Sequence, residues 1–287
     1  IFNTEINLEP RLAAMYQINE FSSIKASYGR TVQYAQLATN ATAGIPFDMW
    51  FPTSPNIKPQ KCDQFSIGHL RHFLNDEIET SVELFYKNIH NVIDFADNAT
   101  LIGNLYIDGE VRAGKGYAYG AELLLRKNFG NFSGWISYTY SKSMRKVPGI
   151  NYDREYVSPY DKPHNISIVL NYAFNKRFDV SASWIYNTGQ PVTYPCGKYT
   201  VDGVTYAVYN GRNNSRYPDY HRLDLSATIK CKEKHKNWRG EWNFSVYNAY
   251  GRKNTWAVLF LSEGNHISTM KIALFSFIPS ATYNFKF

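Results

Sequence analysis

The chain has 287 residues, a net charge of +7, a pI near 9.1 and a mean hydropathy of −0.41. No apolar run approaches the ~18 residues that a membrane-crossing helix needs, and the longest, Trp256 to Leu261, is far shorter. Lys and Arg are scattered singly, with no basic run and no nucleic-acid module, which argues against nucleic acid as a partner.

With 23 Tyr, 18 Phe and 6 Trp, 16% of the residues are aromatic despite the low mean hydropathy. That combination suits a wall with two faces of opposite polarity, crossing a membrane in strands. Three cysteines do not make a disulfide framework. Cys62 and Cys196 fall in regions expected on the same side of the membrane, so a bond between them and free thiols are both open. The chain starts Ile1-Phe2-Asn3-Thr4, without Met or a secretion signal. The expectation is that a further N-terminal portion precedes it.

Period-two alternation runs from end to end, and successive strand side chains point to opposite faces. In 4–18, Ile6, Leu8, Leu12, Ala14, Tyr16 and Ile18 oppose Glu5, Asn7, Glu9, Arg11 and Gln17. Residues 21–35 and 61–71 alternate poorly but fit as strands. In 76–94, Ile78, Thr80, Val82, Leu84 and Tyr86 oppose Glu77, Glu79, Ser81, Glu83 and Lys87. Strand 117–127 carries Leu123, Leu124 and Leu125 in a row. Strands 130–142, 164–174, 178–189 and 219–231 alternate cleanly, as in Leu223, Leu225 and Ala227 against Arg222, Asp224 and Ser226. Arg222 and Asp224 share a face, and a charge ladder to Arg239 and Glu241 on the following strand is expected. Strands 238–260 and 270–287 complete eleven. A helical stripe would recur every three or four residues instead. The fold class is all-β, an antiparallel transmembrane meander.

Connection lengths alternate as well. Short turns fall at 19–20, 72–75, 128–130, 175–177 and 231–237, and long loops at about 36–60, 95–116, 143–163, 190–218 and 261–269. Short on one side and long on the other is the pattern of an outer-membrane barrel. A sandwich with Greek-key connections would mix lengths irregularly. The last strand, PSATYNFKF, sets Tyr283, Phe285 and Phe287 on one face against Thr282, Asn284 and Lys286.

Several segments carry a family resemblance: YGAELLLRK (Tyr119 to Lys127), FSGWISYTYSKS (Phe132 to Ser143), DKPHNISIVLNY (Asp161 to Tyr172), WIYNTGQPVTYP (Trp184 to Pro195), RYPDYHRLDLS (Arg216 to Ser226), YNAYGRKN (Tyr247 to Asn254) and the terminal PSATYNFKF. In this order and phase, the chain resembles the C-terminal barrel portion of a TonB-dependent outer-membrane receptor of the Bacteroidetes type. The resemblance implies that residues 1–287 are the C-terminal half of a 22-stranded barrel, without plug, signal peptide or TonB-contacting segment. Its implied partners are outer-membrane lipid, the N-terminal barrel half and plug, the TonB complex, the barrel assembly machinery and a surface lipoprotein. The implied location is the bacterial outer membrane, with long loops extracellular and the C-terminus periplasmic. The terminal strand, with Tyr283, Phe285 and Phe287, is implied as the signal for membrane insertion.

The implied function is import of a scarce nutrient: a siderophore, cobalamin, an oligosaccharide or a peptide. A passive porin is the alternative, and an outer-membrane enzyme a more distant one. Ligand contacts are expected in the long loops, since loops on a rigid scaffold carry binding. The candidates are Trp50, Tyr152, Tyr194, Tyr199, Tyr206, Tyr209, Arg212 and Tyr217, because aromatic rings offer flat apolar faces with polar tips. No cofactor, metal site or catalytic residue is expected. His69 and His72 fall on opposite faces of a strand, His164 and His221 read as rim residues, and Asp161 near His164 is the nearest approach to an acid–base pair.

Overall fold

The computed structural model describes residues 5–39, 48–74, 76–97, 99–101, 103–231, 239–263 and 266–286. Eleven strands form its wall. They are β1 (Arg11–Asn19), β2 (Ser22–Gln33), β3 (Gln60–Phe73), β4 (Ile78–Phe95), β5 (Val111–Lys127) and β6 (Phe132–Lys146), followed by β7 (His164–Asn175), β8 (Phe178–Asn187), β9 (Tyr220–Lys230), β10 (Arg239–Tyr247) and β11 (Ile278–Lys286). Each pairs antiparallel with the next in chain order, so the sheet is an unbroken meander. The outer edges of β1 and β11 are unpaired among the described residues.

The alternation works as expected. Leu125, Ile136, Ile168, Trp184 and Leu223 lie in register across five neighbouring strands and make one apolar row. The opposite face carries Ser81, Ser137, Ser181 and Ser226, the last two hydrogen-bonded through their hydroxyls at 2.9 Å. Apolar residues such as Leu84, Phe65, Phe244 and Phe285 are exposed, because none of the described residues covers the apolar face. Aromatic rings gather near its two ends. Tyr172, Phe174 and Phe178 touch one another toward the short turns, and so do Trp242, Tyr283 and Phe285. Tyr28 and Phe65, and Trp184 and Tyr186, do so toward the long loops. Such paired girdles mark the two interfaces of a membrane.

Several boundaries differ from the sequence reading, with β5 starting at Val111 instead of 117 and β6 ending at Lys146 instead of 142. The first strand starts at Arg11, after Pro10, whose missing N–H cannot extend the ladder. The strand expected over 238–260 ends at Tyr247, where Asn248 turns the chain in a left-handed conformation with φ 54°. Asn248 is 1% exposed and fixes that turn, its N–H donating to Asp224 Oδ1 and its Nδ2 to the carbonyls of Arg252 and Ser276. The apolar run Trp256 to Leu261 therefore belongs to a hairpin, Thr255–Glu263 with His266–Ala273, inside a loop of 248–277 rather than 261–269. Finally, β11 begins at Ile278, not 270.

The charge ladder forms only in part. Arg222 Nη2 lies 2.8 Å from Asp224 Oδ2, and the guanidinium stacks over Tyr247 at 4.2 Å. Register places Glu241 opposite Lys230 and Arg239 opposite Lys286, at the short-turn end, while Arg222 stands at the long-loop end. Reversal of direction at the hairpin carries equal-sounding positions to opposite ends of the wall. Cys62 and Cys196 are both free thiols.

β4 is 18 residues long, which spans roughly 60 Å at the ordinary strand rise. A membrane crossing takes only about 9–11 residues. The surplus of β3 to β6 rises past the apolar belt and carries the loops.

At Gly134 the wall demands a residue without Cβ. Its φ is 152°, and a Cβ would stand 2.1 Å from the Val169 carbonyl oxygen on the neighbouring strand. Gly134→Val is expected to cost about 1–3 kcal/mol through overpacking. The share of compact, heat-modifiable protein in outer-membrane fractions reports it, and a wild-type share would contradict the close approach.

Candidate functional site

The long loops build the only extensive buried packing among the described residues, and it starts from β4. A bulge between His90 and Val92, with Asn91 at φ 58°, shifts the strand's phase just before its apolar end. Bulges re-aim side chains in this way. Beyond it, Val92, Ile93, Asp94 and Phe95 are all buried, so this strand end is covered on both faces. Ile93 and Phe95 pack on Ala38, Phe51 and Ile57 of the 34–59 loop. Val92 packs on Val147, Ile150 and Tyr156 of the 147–163 loop.

Asp94, on the Val92 side, is 1% exposed and ties three segments together. Its Oδ1 accepts from Arg212 Nη2 at 2.5 Å and its Oδ2 from the Tyr156 hydroxyl at 2.9 Å, with Arg145 Nη1 at 3.8 Å. Arg145 also donates to the Ile93 carbonyl and faces the Tyr160 ring. Burial, then the Asp94 charge, push the Tyr156 phenol far above its ordinary pKa, so it stays a donor. A buried charge persists only where it is paired and hydrogen-bonded in this way.

A second clasp joins Asp161 to Arg216. Arg216 also donates to the carbonyls of Asp161 and Gly189, and Asp161 accepts the Ser143 N–H at 2.6 Å. Asn213 adds a bond to the Val157 carbonyl, and the Arg212 N–H one to Asn151 Oδ1. Asp219 closes the base of the 188–219 loop, accepting from Tyr186 and from the Gly189 N–H. The Tyr186 bond holds its carboxyl below the usual range. A depressed carboxylate contributes fully above its unfolded pKa and loses that contribution as pH falls through the folded value. The clasp therefore holds at neutral pH and fails only in acid.

The expected ligand residues do not converge. Arg212 is consumed by Asp94 and Asp97 and organises the loops instead of facing solvent. Tyr194 packs edge-on against Phe260 at 5.2 Å and near Tyr217 at 6.5 Å, and burial raises both phenols. Burial also raises Tyr209, at the base of the hairpin Pro195–Val201 with Val204–Tyr209. Tyr199 and Tyr206 stack on each other at 5.3 Å on that hairpin and stay exposed. Trp50 stands exposed on the hairpin Ala35–Thr39 with Asp48–Pro52, and Tyr152 exposed on the turn at 151–153. Asp161 and His164 are no acid–base pair, because Asp161 holds Arg216 while His164 Nδ1 meets the Tyr138 hydroxyl at 2.9 Å. Of the terminal aromatics, Tyr283 and Phe285 lie on the apolar face, and Phe287 falls outside the described residues.

Three hollows matter. The largest, about 810 Å³, is lined by Leu170, Val180, Ala182, Leu225, Ala227 and Phe244 on the apolar face, which unsuits it for a polar solute. One of about 360 Å³ lies on the polar face of β2 to β6, with Gln36, Gln60, Lys87, Arg145 and Tyr160 around it. One of about 290 Å³ lies between the 188–219 and 248–277 loops. Of the eight expected ligand residues, Tyr217 alone lines any of them. The sequence did not reveal Asp94, Tyr156 and Arg145 as a cluster around Arg212, nor the pairing of Asp161 with Arg216. The one available signal was a carboxylate inside the apolar run Val92 to Phe95.

Asp94→Asn should leave Arg212 short of its charge partner, at about 3–5 kcal/mol for a broken buried pair. Hydrogen exchange across 188–219 and 147–163 should accelerate while the wall strands stay protected. Unaltered exchange in both loops would show that the carboxylate is dispensable.

The TonB dependent receptor-like, beta-barrel family matches residues 6–249. No curated protein sequence matches the chain. Among solved structures, the Escherichia coli K12 ferric-catecholate import receptor Fiu superposes with a TM-score of 0.57 at 16% identity, covering 96% of this chain and 34% of Fiu. The pyoverdine receptor FpvA of Pseudomonas aeruginosa gives 0.60 at 15%, covering 96% and 35%. The ferric citrate transporter FecA gives 0.60 at 14%, covering 97% and 38%. This chain thus spans between a third and two-fifths of their lengths. With most of its length matched and its meander superposed, the chain belongs to the TonB-dependent receptor β-barrel family.

Proposed function

We propose that this chain is the C-terminal part of the barrel wall of a TonB-dependent receptor that imports a scarce nutrient across the bacterial outer membrane. The observation that carries the reading is a one-sided membrane wall whose long loops are locked into a canopy over its polar face. Two unpaired edges support completion by an N-terminal half and a plug, since unpaired backbone groups in lipid cost several kcal/mol each. Energy would come from the TonB complex through that other half. The long loops would face outward, with the C-terminus in the periplasm, and a surface lipoprotein would meet the canopy. A rigid canopy suits binding, because loops ordered beforehand avoid the entropy of ordering on contact.

Growth on the limiting nutrient is the test of transport. Cells expressing the receptor should stop importing when TonB is depleted, while surface binding of the nutrient continues. Import that survives TonB depletion would make the protein a passive porin.

The terminal strand is proposed to be read by the barrel assembly machinery through Tyr283, Phe285 and Phe287. Replacing Phe285 and Phe287 with Asn should lower the folded outer-membrane yield severalfold at equal synthesis, judged on heat-modifiable protein. Equal yield would leave them as ordinary lipid-facing aromatics.

A further inference from the structure

The 290 Å³ hollow between the 188–219 and 248–277 loops has a composition that the canopy's stability does not explain. Its floor comes from the polar face of the wall. Asn187 and Tyr220 are direct cross-strand partners on β8 and β9, and Tyr247 ends β10 on the same face. Tyr217, Trp256 and Phe275 supply further rings around it, and Gln190, Lys162 and Asn254 further polar groups.

What separates these residues is which of them are already engaged. Tyr220 accepts from Arg222 at 3.0 Å, and Tyr247 bonds to both Tyr220 and Arg222, so these two rings are fixed in place. Asn254 is spent on the His221 backbone. By contrast, the side-chain amides of Asn187 and Gln190, the Lys162 ammonium and the Trp256 indole N–H make no hydrogen bond among the described residues. Trp256 is 44% exposed and Phe275 61% exposed, at the mouth of the hollow. No carboxylate lines it, and the two nearest in sequence, Asp161 and Asp219, are held by Arg216 and the Ser143 N–H and by Tyr186 and the Gly189 N–H.

Fixed aromatic faces beside free amides define a particular ligand chemistry. Rings offer flat apolar contact, and each amide offers both a donor and an acceptor. A pyranose ring matches both, with C–H bonds on its faces and hydroxyls at its edge that each donate and accept. The volume lies at the lower end of ligand pockets, about 300 Å³, and suits one ring, not a large chelate. A cationic ligand is disfavoured by Lys162 and by the absence of a free carboxylate.

We propose that this hollow is a saccharide subsite that holds one pyranose ring, stacked on Trp256 and hydrogen-bonded by Asn187 and Gln190. The assignment rests on the receptor reading above and narrows its nutrient to one that carries a sugar ring. The rings of Tyr220 and Tyr247, held by each other and by Arg222, form the floor beside it. Lys162 at the rim donates to a hydroxyl oxygen or pairs with an acidic substituent.

The test uses the full-length receptor in detergent and a set of methyl pyranosides at millimolar concentration, with 2,3-dihydroxybenzoate as an acidic aryl comparison. Saturation-transfer NMR should show contact with at least one pyranoside. Titration should show affinity falling by about tenfold or more in Asn187→Ala and in Trp256→Ala, the loss that one good contact represents. Trp256→Phe should restore much of it, and Tyr199→Ala, on a separate hairpin, should change nothing. Heat-modifiable mobility confirms that each variant is folded. Contact with no pyranoside, equal affinity in both pocket variants, or displacement by dihydroxybenzoate alone would each overturn the subsite. Any of these alongside TonB-dependent import removes the subsite and leaves the receptor. TonB-independent import with pyranoside binding lost in the variants keeps the subsite and removes the receptor reading.

Discussion

Backbone hydrogen bonding without water governs this molecule. In hydrocarbon an unpaired N–H or C=O has no substitute partner, so strands must pair along their whole length with neighbours. Among the described residues, the eleven-strand meander leaves only the outer edges of β1 and β11 without a neighbouring strand. Both edge strands carry the same apolar face as the interior ones, with Leu12, Tyr16 and Ile18 on β1 and Phe285 on β11 exposed. Their patterning is that of wall strands with neighbours, not of charged or interrupted edges that guard a soluble sheet.

Because both wall faces meet solvent of one kind or the other, the wall has no core in the usual sense. The buried core lies above it, where β4 outgrows the membrane and is covered on both sides by loops. Asp94 gives that core its specificity. An apolar cluster alone would tolerate several arrangements, whereas a buried carboxylate must find Arg212 and Tyr156 or remain uncompensated. The result is a division of labour within one chain: backbone pairing builds the wall, and side-chain packing and charge build the canopy. Loop residues can then vary without disturbing the membrane part.

The likeness to Fiu, FpvA and FecA at 14–16% identity follows from the same physics. A strand in a barrel wall needs apolar residues on alternate positions and small or polar ones between, and many sequences meet that requirement. Shared architecture therefore persists after individual residues have changed, and it carries no information about a ligand.

The sequence by itself determined the period-two pattern, the order and number of wall strands, and the alternation of short turns with long loops. Those follow from rules that act over a few residues, which a linear reading can follow. It misplaced the end of β10, because Trp256 to Leu261 looks like wall until Asn248 is seen turning the chain aside. It picked loop tyrosines by type and could not tell the exposed pair Tyr199 and Tyr206 from Tyr194 and Tyr217, which pack inward. Only the tertiary structure decided that Arg212 belongs to Asp94, 118 positions away, and that Asn187 and Gln190 have no hydrogen-bond partner among the described residues beside Trp256. Such contacts depend on where five separate loops meet in space, and no local spacing in the chain encodes that meeting.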